Sequence, residues 1–330
     1  MTDVAATTMK AITQDRYGPP EMLRLSDVER PVARESHVVI RVRAAGIHRG
    51  DRILLTGRPY AVRVAGPRTP RNRVPGMECA GEVHSIGRNV TEFQVGDEVF
   101  GWGTGMFAEY ASVPVRNLLP KPAALTFEQA AAVPISGMTA YQGLSGRARP
   151  RPGQQVLVIG AAGGVGTFAV QIARAYGAEV TGVCSSTKVE LVRSLGADHV
   201  VDYTREDFTQ GGRRYDVILD MVGDRPVSLL RRLLTPAGTL VLVGVENGGP
   251  VLGGWDRSLK AMLIAPLVRQ RQVRPLSSIG RKPDLLGLKD LIDAGKLVPV
   301  VDRTYPLDRT AEAFHDLAGG HARGKVVITP

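Results

Sequence analysis

The stretch that most constrains the fold runs from Val156 to Tyr176. Its first four residues are apolar and mostly β-branched, and they lead directly into the turn Gly160-Ala161-Ala162-Gly163-Gly164-Val165-Gly166. Phe168, Ile172 and Tyr176 then follow at helical spacing, so the pattern predicts a strand, a tight turn and a helix. Glycines let the backbone approach a bound group closely, and the first N–H groups of the helix attract an anion. A diphosphate is the natural occupant of such a turn.

The spacing of the turn is irregular, because Ala161 stands where the first glycine of the usual G-x-G-x-x-G pattern is expected. The residues that follow support the same interpretation. They predict a second strand over 179–184, a helix over 187–195 and a third strand over 199–203, which together form one half of a nucleotide-binding sheet. We therefore predict cofactor contacts along the turn, at Ala161, Ala162, Gly163, Gly164, Val165 and Gly166.

Length and composition indicate a globular protein of two domains. The chain has 330 residues, which is long for one core, and 43% of them are hydrophobic. Its two cysteines, Cys79 and Cys184, give no spacing that predicts a disulfide framework. We identify no signal peptide and no charge-free apolar stretch long enough to cross a bilayer. We therefore predict a cytoplasmic protein with no membrane partner.

The formal net charge of +10 would suit either nucleic acid or an anionic ligand. The arginines are scattered along the chain, and the densest group, between Arg63 and Arg73, lies among prolines and glycines with few aromatic residues. This group is interpreted as a solvated surface loop. Nucleic acid is therefore not the expected partner, whereas a basic surface favours a phosphorylated cofactor.

The pattern of elements predicts an α/β protein with a discontinuous first domain. Short strands separated by glycine and proline turns predict a partly open β-barrel over 1–125. Helical spacing begins at Thr126, and alternating strands and helices predict a doubly wound parallel sheet over 126–281, with a helix over 257–270 and a sixth, outer strand over 273–279. The last strand, 325–329, has no place in that sheet. We expect 282–330 to return to the first domain.

Four short signatures accompany the glycine turn: Val95-Gly96-Asp97-Glu98-Val99, Ala130-Ala131-Ala132-Val133-Pro134, Leu195-Gly196-Ala197-Asp198 and Gly324-Lys325-Val326-Val327. Together they resemble the medium-chain dehydrogenase/reductase superfamily, and within it the zinc-independent NADPH:quinone oxidoreductase-like branch. The resemblance covers essentially the whole chain after Met9. It implies a GroES-like β-barrel catalytic domain, a Rossmann nucleotide-binding domain and a cleft between them that holds the nicotinamide.

The resemblance also bears on zinc. The zinc alcohol dehydrogenases have a cysteine in the loop that here reads Gly46-Ile47-His48, and a His-Glu pair where this chain has Met77-Glu78. Neither Ile47 nor Met77 can ligate zinc, and a catalytic zinc usually takes three protein ligands. A four-cysteine structural site cannot form from two cysteines. We therefore expect no metal.

The choice of cofactor depends on the end of the second strand, where an NAD enzyme usually offers an acid to the ribose. This chain has hydroxyls and a cation there, Ser185, Ser186 and Lys188, which suit the 2′-phosphate of NADPH. The resemblance to quinone oxidoreductases implies that Lys188 and Tyr203, fifteen residues later, hold that phosphate. The alternative is a solvated lysine and an ordinary strand tyrosine. We predict NADPH as the cofactor.

Further cofactor contacts are implied only by the resemblance, and packing or surface roles are the alternative for each of them. Two of these residues follow the Val133-Pro134 junction, two end the fifth strand of the sheet, and two belong to a C-terminal segment that can close over the cofactor. They are Ser136, Thr139, Gly244, Val245, Arg323 and Lys325.

Reduction requires a hydride from the nicotinamide and a hydrogen-bond donor for the oxyanion or enolate that forms. His48 is the first candidate donor and Tyr60 the second. The alternative for His48 is a loop histidine that caps backbone groups. The expected reaction is hydride transfer from NADPH to a quinone or to the β-carbon of an α,β-unsaturated carbonyl.

Two other functions stay open at this stage. One is NAD(P)-dependent alcohol–carbonyl oxidoreduction, and the other is a non-catalytic NADPH-binding sensor or nucleic-acid-binding protein. The superfamily resemblance further implies a homodimer that pairs through the outer strand of the nucleotide sheet, because an exposed edge strand needs covering.

Overall fold

A computed structural model of the chain describes residues 7–244, 251, 253, 271–273, 280–320 and 322–330. The chain divides into two compact units, each made of more than one segment. Unit 1 comprises residues 1–135, 280–289 and 299–330, and unit 2 comprises residues 136–279 and 290–298. Among the described residues, no helix is long and apolar enough to cross a membrane.

Unit 2 is built on a parallel sheet whose order in the described residues is β10-β9-β8-β11-β12-β13. The sheet grows outward from β8 in one direction and then from β11 in the other, which is the doubly wound order predicted from the glycine turn. Such sheets bind ligands where the order reverses, at the carboxyl ends of β8 and β11. The strands are β8 (Gln155–Ile159), β9 (Glu179–Cys184), β10 (His199–Asp202), β11 (Tyr215–Asp220), β12 (Leu234–Leu242) and β13 (Arg271–Val273).

Buried apolar strands explain the position of this sheet in the interior of unit 2. Val156, Leu157 and Val158 of β8 are fully buried, as expected for a parallel strand covered on both faces. The helix after β8 buries an apolar stripe that includes Phe168 and Ile172. The helices in or entering unit 2 are α3 (Pro134–Gly143), α4 (Gly164–Ala175), α5 (Val189–Ser194) and α6 (Val227–Arg232).

Unit 1 contains a mainly antiparallel sheet of order β14-β15-β3-β4-β5-β7, with β6 also paired to β3, and a separate β1-β2 hairpin. The strands are β1 (Thr8–Thr13), β2 (Arg24–Glu29), β3 (His37–Ile47), β4 (Glu78–Ile86), β5 (Glu98–Trp102), β6 (Tyr110–Pro114), β7 (Leu118–Pro120), β14 (Val301–Pro306) and β15 (Lys325–Thr329). The helices that belong to it are α1 (Arg49–Thr56), α2 (Phe127–Ala131) and α8 (Thr310–Ala318), while α7 (Lys282–Asp293) is divided between the units.

The last strand returns to unit 1, as the sequence predicted. β15 pairs with β14 in parallel and with β3 in antiparallel register, so that Val326 lies opposite Ile47. Its side chains join the same apolar core as β3 and α8, where the rings of Phe107 and Phe314 meet edge to face at a centroid distance of 6.1 Å. This pairing brings residues from the two ends of the sequence to one sheet.

Several predicted boundaries differ from the structure. The first unit extends to 135 instead of ending at 125, because α2 packs on β3 and β4 of the barrel. β14 begins at Val301, where pairing to β15 starts. The sixth strand occupies the predicted outer position but is described only over Arg271–Val273. The predicted helix over 257–270 and the rest of the predicted strand, 274–279, lie outside the described residues.

Candidate active site

The glycine turn joins β8 to α4 at the sheet edge where the strand order reverses. Gly160 has a φ angle of 83°, a conformation that L residues with a side chain rarely adopt. A Cβ atom on Gly166 would lie 2.1 Å from the carbonyl oxygen of Gly160, so glycine is required for α4 to begin this close to the strand. Gly163 is the N-cap residue of α4, and no side chain in the described part of the chain caps it. The helix N-terminus therefore suits an anionic ligand.

An acidic residue lies beside the residues predicted to hold the 2′-phosphate. Asp202 ends β10 opposite Cys184, the last residue of β9. Its carboxylate accepts hydrogen bonds from the hydroxyls of Ser186 and Thr204, and these bonds, that of Ser186 first, hold the pKa of Asp202 below its usual value. The sequence analysis did not include this carboxylate, because only strand pairing brings the end of β10 to the end of β9.

The remaining residues predicted to hold the 2′-phosphate lie at the same edge of the sheet. Ser185 and Lys188 are half-buried in the loop and short 3₁₀ helix after β9. Tyr203 follows β10, is 55% exposed, and donates its backbone N–H to the carbonyl of Cys184 at 3.1 Å. The two loops thus present a lysine, a tyrosine and a serine at the carboxyl ends of neighbouring strands.

The other predicted cofactor residues have mixed environments. Ser136 and Thr139 are buried in α3, at 2% and 7% exposure. Gly244 follows β12 and donates its N–H to the carbonyl of Asp220 at 3.1 Å, and a Cβ atom there would lie 2.5 Å from the carbonyl oxygen of Met221. Arg323 is exposed just before β15, whereas Val245 lies outside the described residues.

Lys325 lies inside unit 1 and not at its surface. Its ammonium donates to Glu78 Oε1 at 2.6 Å and to the carbonyl of Ile47 at 2.8 Å, and both charged side chains are at most 1% exposed. The other carboxylate oxygen, Glu78 Oε2, accepts the backbone N–H of Ile135 at 2.6 Å. The expectation that Lys325 closes over the cofactor is therefore corrected: the first residue of β15 neutralises a carboxylate buried at the start of β4.

Gly46 makes room for this ion pair. A Cβ atom on Gly46 would lie 2.5 Å from Glu78 Oε1 and 2.7 Å from the carbonyl oxygen of Ala131. The end of β3 therefore has to be glycine for Glu78 to approach Lys325 across the sheet. Burial raises the pKa of Glu78, while the charge and hydrogen bond of Lys325 act in the opposite direction.

His48 immediately follows β3 and is the N-cap residue of α1. Its Nδ1 accepts the backbone N–H of Asp51 at 3.2 Å, and Asp51 Oδ2 accepts the backbone N–H of His48 at 3.0 Å, which completes a capping box. Gly50 is required here as well, since a Cβ atom on it would lie 2.7 Å from Cε1 of His48. The capping role considered for His48 is thus present.

Capping occupies only one nitrogen of the His48 ring. Since Nδ1 accepts a hydrogen bond, the neutral ring carries its proton on Nε2. Nε2 is buried, has no hydrogen-bond partner in the described part of the chain, and lies 3.5 Å from Asp51 Oδ2. Burial, followed by the charge of Lys325, lowers the pKa of His48 well below 6.5. At neutral pH, His48 is therefore a neutral side chain with one unused N–H donor.

Asp51 titrates close to neutral pH. Burial, followed by the charge of Glu78, raises its pKa to about 7, although the His48 hydrogen bond and Lys325 act against that rise. A carboxyl group whose pKa is raised on folding stabilises the folded state fully below its unfolded pKa, and this contribution is lost as the pH rises through the folded pKa. The Asp51 contribution therefore decreases between about pH 4 and pH 7.

An Asp51→Asn variant is expected to remove this pH dependence, because asparagine can still accept the His48 N–H but cannot ionise. Its free energy of unfolding relative to the parent should improve by about 2 kcal/mol between about pH 5 and pH 7.5. Urea unfolding at both pH values measures the difference. An Asp302→Asn variant, which changes an acid elsewhere in unit 1, is the control. A parallel pH response of parent and Asp51→Asn would contradict the raised pKa.

Tyr60 begins a 3₁₀ helix over Tyr60–Ala65, within a loop for which no regular structure was predicted. Its ring is 44% exposed and lies 4.8 Å from the Arg63 guanidinium, which also stacks on Tyr17 at 4.5 Å. Arg63 further donates to the carbonyl of Gly57 at 2.8 Å. These contacts fix the Tyr60 loop to unit 1, and the hydroxyl of Tyr60 stays a candidate donor.

Comparison with known proteins decides the family. The family model described as alcohol dehydrogenase GroES-like domain matches residues 34–123, and the model described as zinc-binding dehydrogenase matches residues 195–328. A mitochondrial NAD(P)H oxidoreductase of Mus musculus is 33% identical over 99% of this chain and 90% of its own length. The chain belongs to the medium-chain dehydrogenase/reductase superfamily. Its predicted fold, a GroES-like domain with a Rossmann-type parallel sheet, is confirmed.

Two further members of the medium-chain dehydrogenase/reductase superfamily indicate the branch. The chloroplastic NADPH-dependent alkenal/one oxidoreductase of Arabidopsis thaliana is 34% identical over 98% of this chain and 80% of its own length. The solved structure of Escherichia coli quinone oxidoreductase complexed with NADPH superposes with a TM-score of 0.84 at 26% identity, over 97% of this chain and 100% of that one. The predicted quinone oxidoreductase-like branch is confirmed.

One matched model bears the description of a zinc-binding dehydrogenase, so the residues present have to be tested against zinc. In this member of the superfamily, both oxygens of Glu78 are engaged, by Lys325 and by the Ile135 N–H. Within the described residues, no group of three His, Cys, Asp or Glu side chains is placed to hold a metal ion. The ammonium of Lys325, 2.6 Å from Glu78 Oε1, repels a divalent cation from this carboxylate. This donor set does not fit a catalytic zinc.

Proposed function

We propose that this protein is an NADPH-dependent reductase that transfers hydride, without zinc, to a quinone or to the β-carbon of an α,β-unsaturated carbonyl. One observation carries the cofactor part of the proposal. Glycine is required at position 166, and no side chain among the described residues caps the N-terminus of α4, at the sheet edge where the strand order reverses. That combination suits the diphosphate of a dinucleotide. The relatives whose names specify NADPH support the choice of cofactor.

The residues of unit 2 that would hold the cofactor divide between two positions. Gly163, Gly164, Val165 and Gly166 would hold the diphosphate through backbone N–H groups of α4. Ser185, Lys188 and Tyr203 would hold the 2′-phosphate at the neighbouring strand ends. When bound, NADPH supplies the hydride. The protein then has to orient the acceptor and stabilise the negative charge that develops on its oxygen.

His48 is the residue that we propose for stabilising that charge. Its Nε2–H is buried, is not used by the capping box, and belongs to a ring kept neutral by burial. Addition of hydride to the β-carbon of an enone moves an electron pair onto the carbonyl oxygen, where an N–H donor lowers the energy of the resulting enolate. Water then protonates the α-carbon. Asp51 positions the ring, and Tyr60 is the second candidate donor.

Turnover with a panel of acceptors tests the proposal. The purified chain, with NADPH, should reduce simple quinones and enones or enals, while saturated ketones and aldehydes should react at least about tenfold more slowly. Loss of NADPH absorbance measures the rate, and product analysis distinguishes reduction of the double bond from reduction of the carbonyl. Faster reduction of saturated carbonyls would favour the alcohol–carbonyl alternative. Tight NADPH binding without turnover would favour the non-catalytic alternative.

A His48→Asn variant separates the two roles of this residue. Asparagine is a good N-cap residue, so the free energy of unfolding should change by less than about 1 kcal/mol. Loss of the Nε2–H should lower kcat by about 100-fold, while the affinity for NADPH stays unchanged. His315→Asn, at an exposed position on α8, is the matched control. An unchanged kcat would leave His48 with its capping role alone.

Two broader predictions remain proposals. We propose a homodimer that forms through the edge of the sheet at β13, which stands last in the strand order. A monomer in light scattering across micromolar concentrations would contradict it.

The cytoplasmic location also stays a prediction, since the Mus musculus relative is named as mitochondrial. Fractionation of cells that express the full chain would test it.

A further inference from the structure

A cavity of about 660 Å³ opens in unit 1, and none of His48, Asp51, Glu78 and Lys325 lines it. Ser112 and Pro114, which share one face of β6, line one part of it. The segment that follows β2 lines another part and contributes Arg30 and Arg34. The other polar lining residues are Glu29, His37, Asn72, Thr104 and Asn117. Its volume is in the range of small-molecule sites.

Two hydrogen-bond donors in this cavity lack acceptors. Arg30 Nε and Ser112 Oγ are buried, and neither has a hydrogen-bond partner in the described part of the chain. The Arg30 guanidinium stacks 4.1 Å from the centroid of the Tyr110 ring, which stands two residues before Ser112 on the same strand face. Buried polar groups in native proteins almost always have partners. Both donors therefore indicate an acceptor beyond those that the described residues provide, such as a bound anion.

The charge around the cavity selects the kind of acceptor. Arg30 and Arg34 line it, and Glu29 is the one acidic residue among its lining. His37 also lines it, and burial, followed by the charges of Arg34 and Arg116, lowers the pKa of that ring. The arginines therefore make the electrostatic potential inside the cavity positive, which favours binding of an anion.

We propose that this cavity binds a small organic anion, whose carboxylate or phosphate oxygens accept from Arg30 Nε and Ser112 Oγ. The planar guanidinium, held on Tyr110, matches the geometry of either oxyanion. Pro31, Val32 and Pro114 supply apolar wall for the carbon part of such a molecule. The residues that line this cavity belong to unit 1, whereas those proposed for the diphosphate and the 2′-phosphate belong to unit 2, and the proposal does not depend on the proposed reaction.

Calorimetric titration of the full chain with two probes tests the site. Inorganic phosphate represents the phosphate head and benzoate represents a carboxylate with an apolar body. NADP⁺ is kept saturating, so that the anion positions of unit 2 are filled, and sodium chloride holds the ionic strength constant. We expect one saturable site for at least one probe. Arg30→Gln and Ser112→Ala should each weaken it about tenfold, since each removes a hydrogen bond to a charged group.

An Arg232→Gln variant is the control, because it removes the same charge at an exposed position on α6 of unit 2. Binding of that variant should match the parent. Absence of saturable binding for both probes would overturn the proposal, and so would equal weakening by Arg232→Gln, which would indicate only general attraction to a basic protein. Ser112→Ala changes a single oxygen, so the test holds even if Arg30→Gln fails to fold. Tighter phosphate than benzoate binding identifies the head group as a phosphate, and the reverse identifies a carboxylate.

Discussion

A Lys325→Met variant is expected to lose about 3–5 kcal/mol of unfolding free energy, because it leaves the carboxylate of Glu78 buried without its counter-charge. Methionine preserves most of the length and volume of the lysine, so the loss reports mainly on charge. The backbone N–H of Ile135 remains as a donor to Glu78 Oε2 but carries no net charge. Urea unfolding followed by circular dichroism at about pH 7.5 measures the effect.

Two comparisons make this result specific. Lys296→Met, at an exposed lysine, should change the free energy of unfolding by less than about 0.5 kcal/mol. The double variant Glu78→Gln with Lys325→Met should recover most of the loss, since no buried charge remains. The loss in Lys325→Met should also shrink at lower pH, where Glu78 is protonated. A loss of the same size in the double variant would mean that packing, and not charge, is what Lys325 supplies.

A Lys188→Met variant is expected to bind NADPH about 10–100-fold more weakly than the parent, because it loses a charge-assisted contact to the 2′-phosphate. Binding of NADH, which lacks that phosphate, should stay the same. An Asp202→Asn variant should shift NADPH affinity in the opposite direction by several-fold, since it removes a negative charge beside Ser186. Ser186 and Thr204 donate to different oxygens of Asp202, so the amide keeps an acceptor for one of the two hydroxyls. Paired fluorescence titrations with both cofactors measure the two ratios.

The decisive result is the direction in which each variant changes the affinity for NADPH: weaker for Lys188→Met and tighter for Asp202→Asn. Lys296→Met serves again as the control and should leave both affinities at the parent values. Equal weakening of NADPH and NADH by Lys188→Met would mean that the lysine supports the loop and not the phosphate. No gain in NADPH affinity for Asp202→Asn would mean that the Asp202 charge does not reach the bound phosphate.

The sheet of unit 2 could be predicted from the sequence because its signals are local. Val156 to Gly166 encode a buried strand and a turn within eleven consecutive residues, and β9, β10 and β12 each follow a helix. The return of β15 could be predicted for a different reason: the nucleotide sheet had no further place for an apolar strand. The first inference depends on the spacing of apolar residues along the sequence, and the second depends on the number of strands that the sheet can hold.

The polar interior of unit 1 could not be predicted in the same way. Glu78 and Lys325 are separated by 247 positions, and only sheet pairing brings them together. A lysine after a glycine near a chain end is usually solvated, so no local pattern indicates burial. The capping box of His48 had a signal, an acid three residues later, but histidine is not among the usual N-cap residues. Asp202 was missed because the second strand was considered without its neighbour.

The separation of Glu78 and Lys325 also fixes an order of events during synthesis. Almost all of unit 2 is translated between these two residues, so β3 and β4 leave the ribosome long before the strand that pairs beside them. At that stage, the Glu78 side chain has no counter-ion, and the end of β3 near Ile47 lacks the strand that later pairs with it, whereas β6 is already available to pair with the start of β3. Unit 2 consists largely of one continuous segment, and its strands can pair as they emerge. We therefore expect the sheet of unit 2 to be able to form before β15 joins the sheet of unit 1.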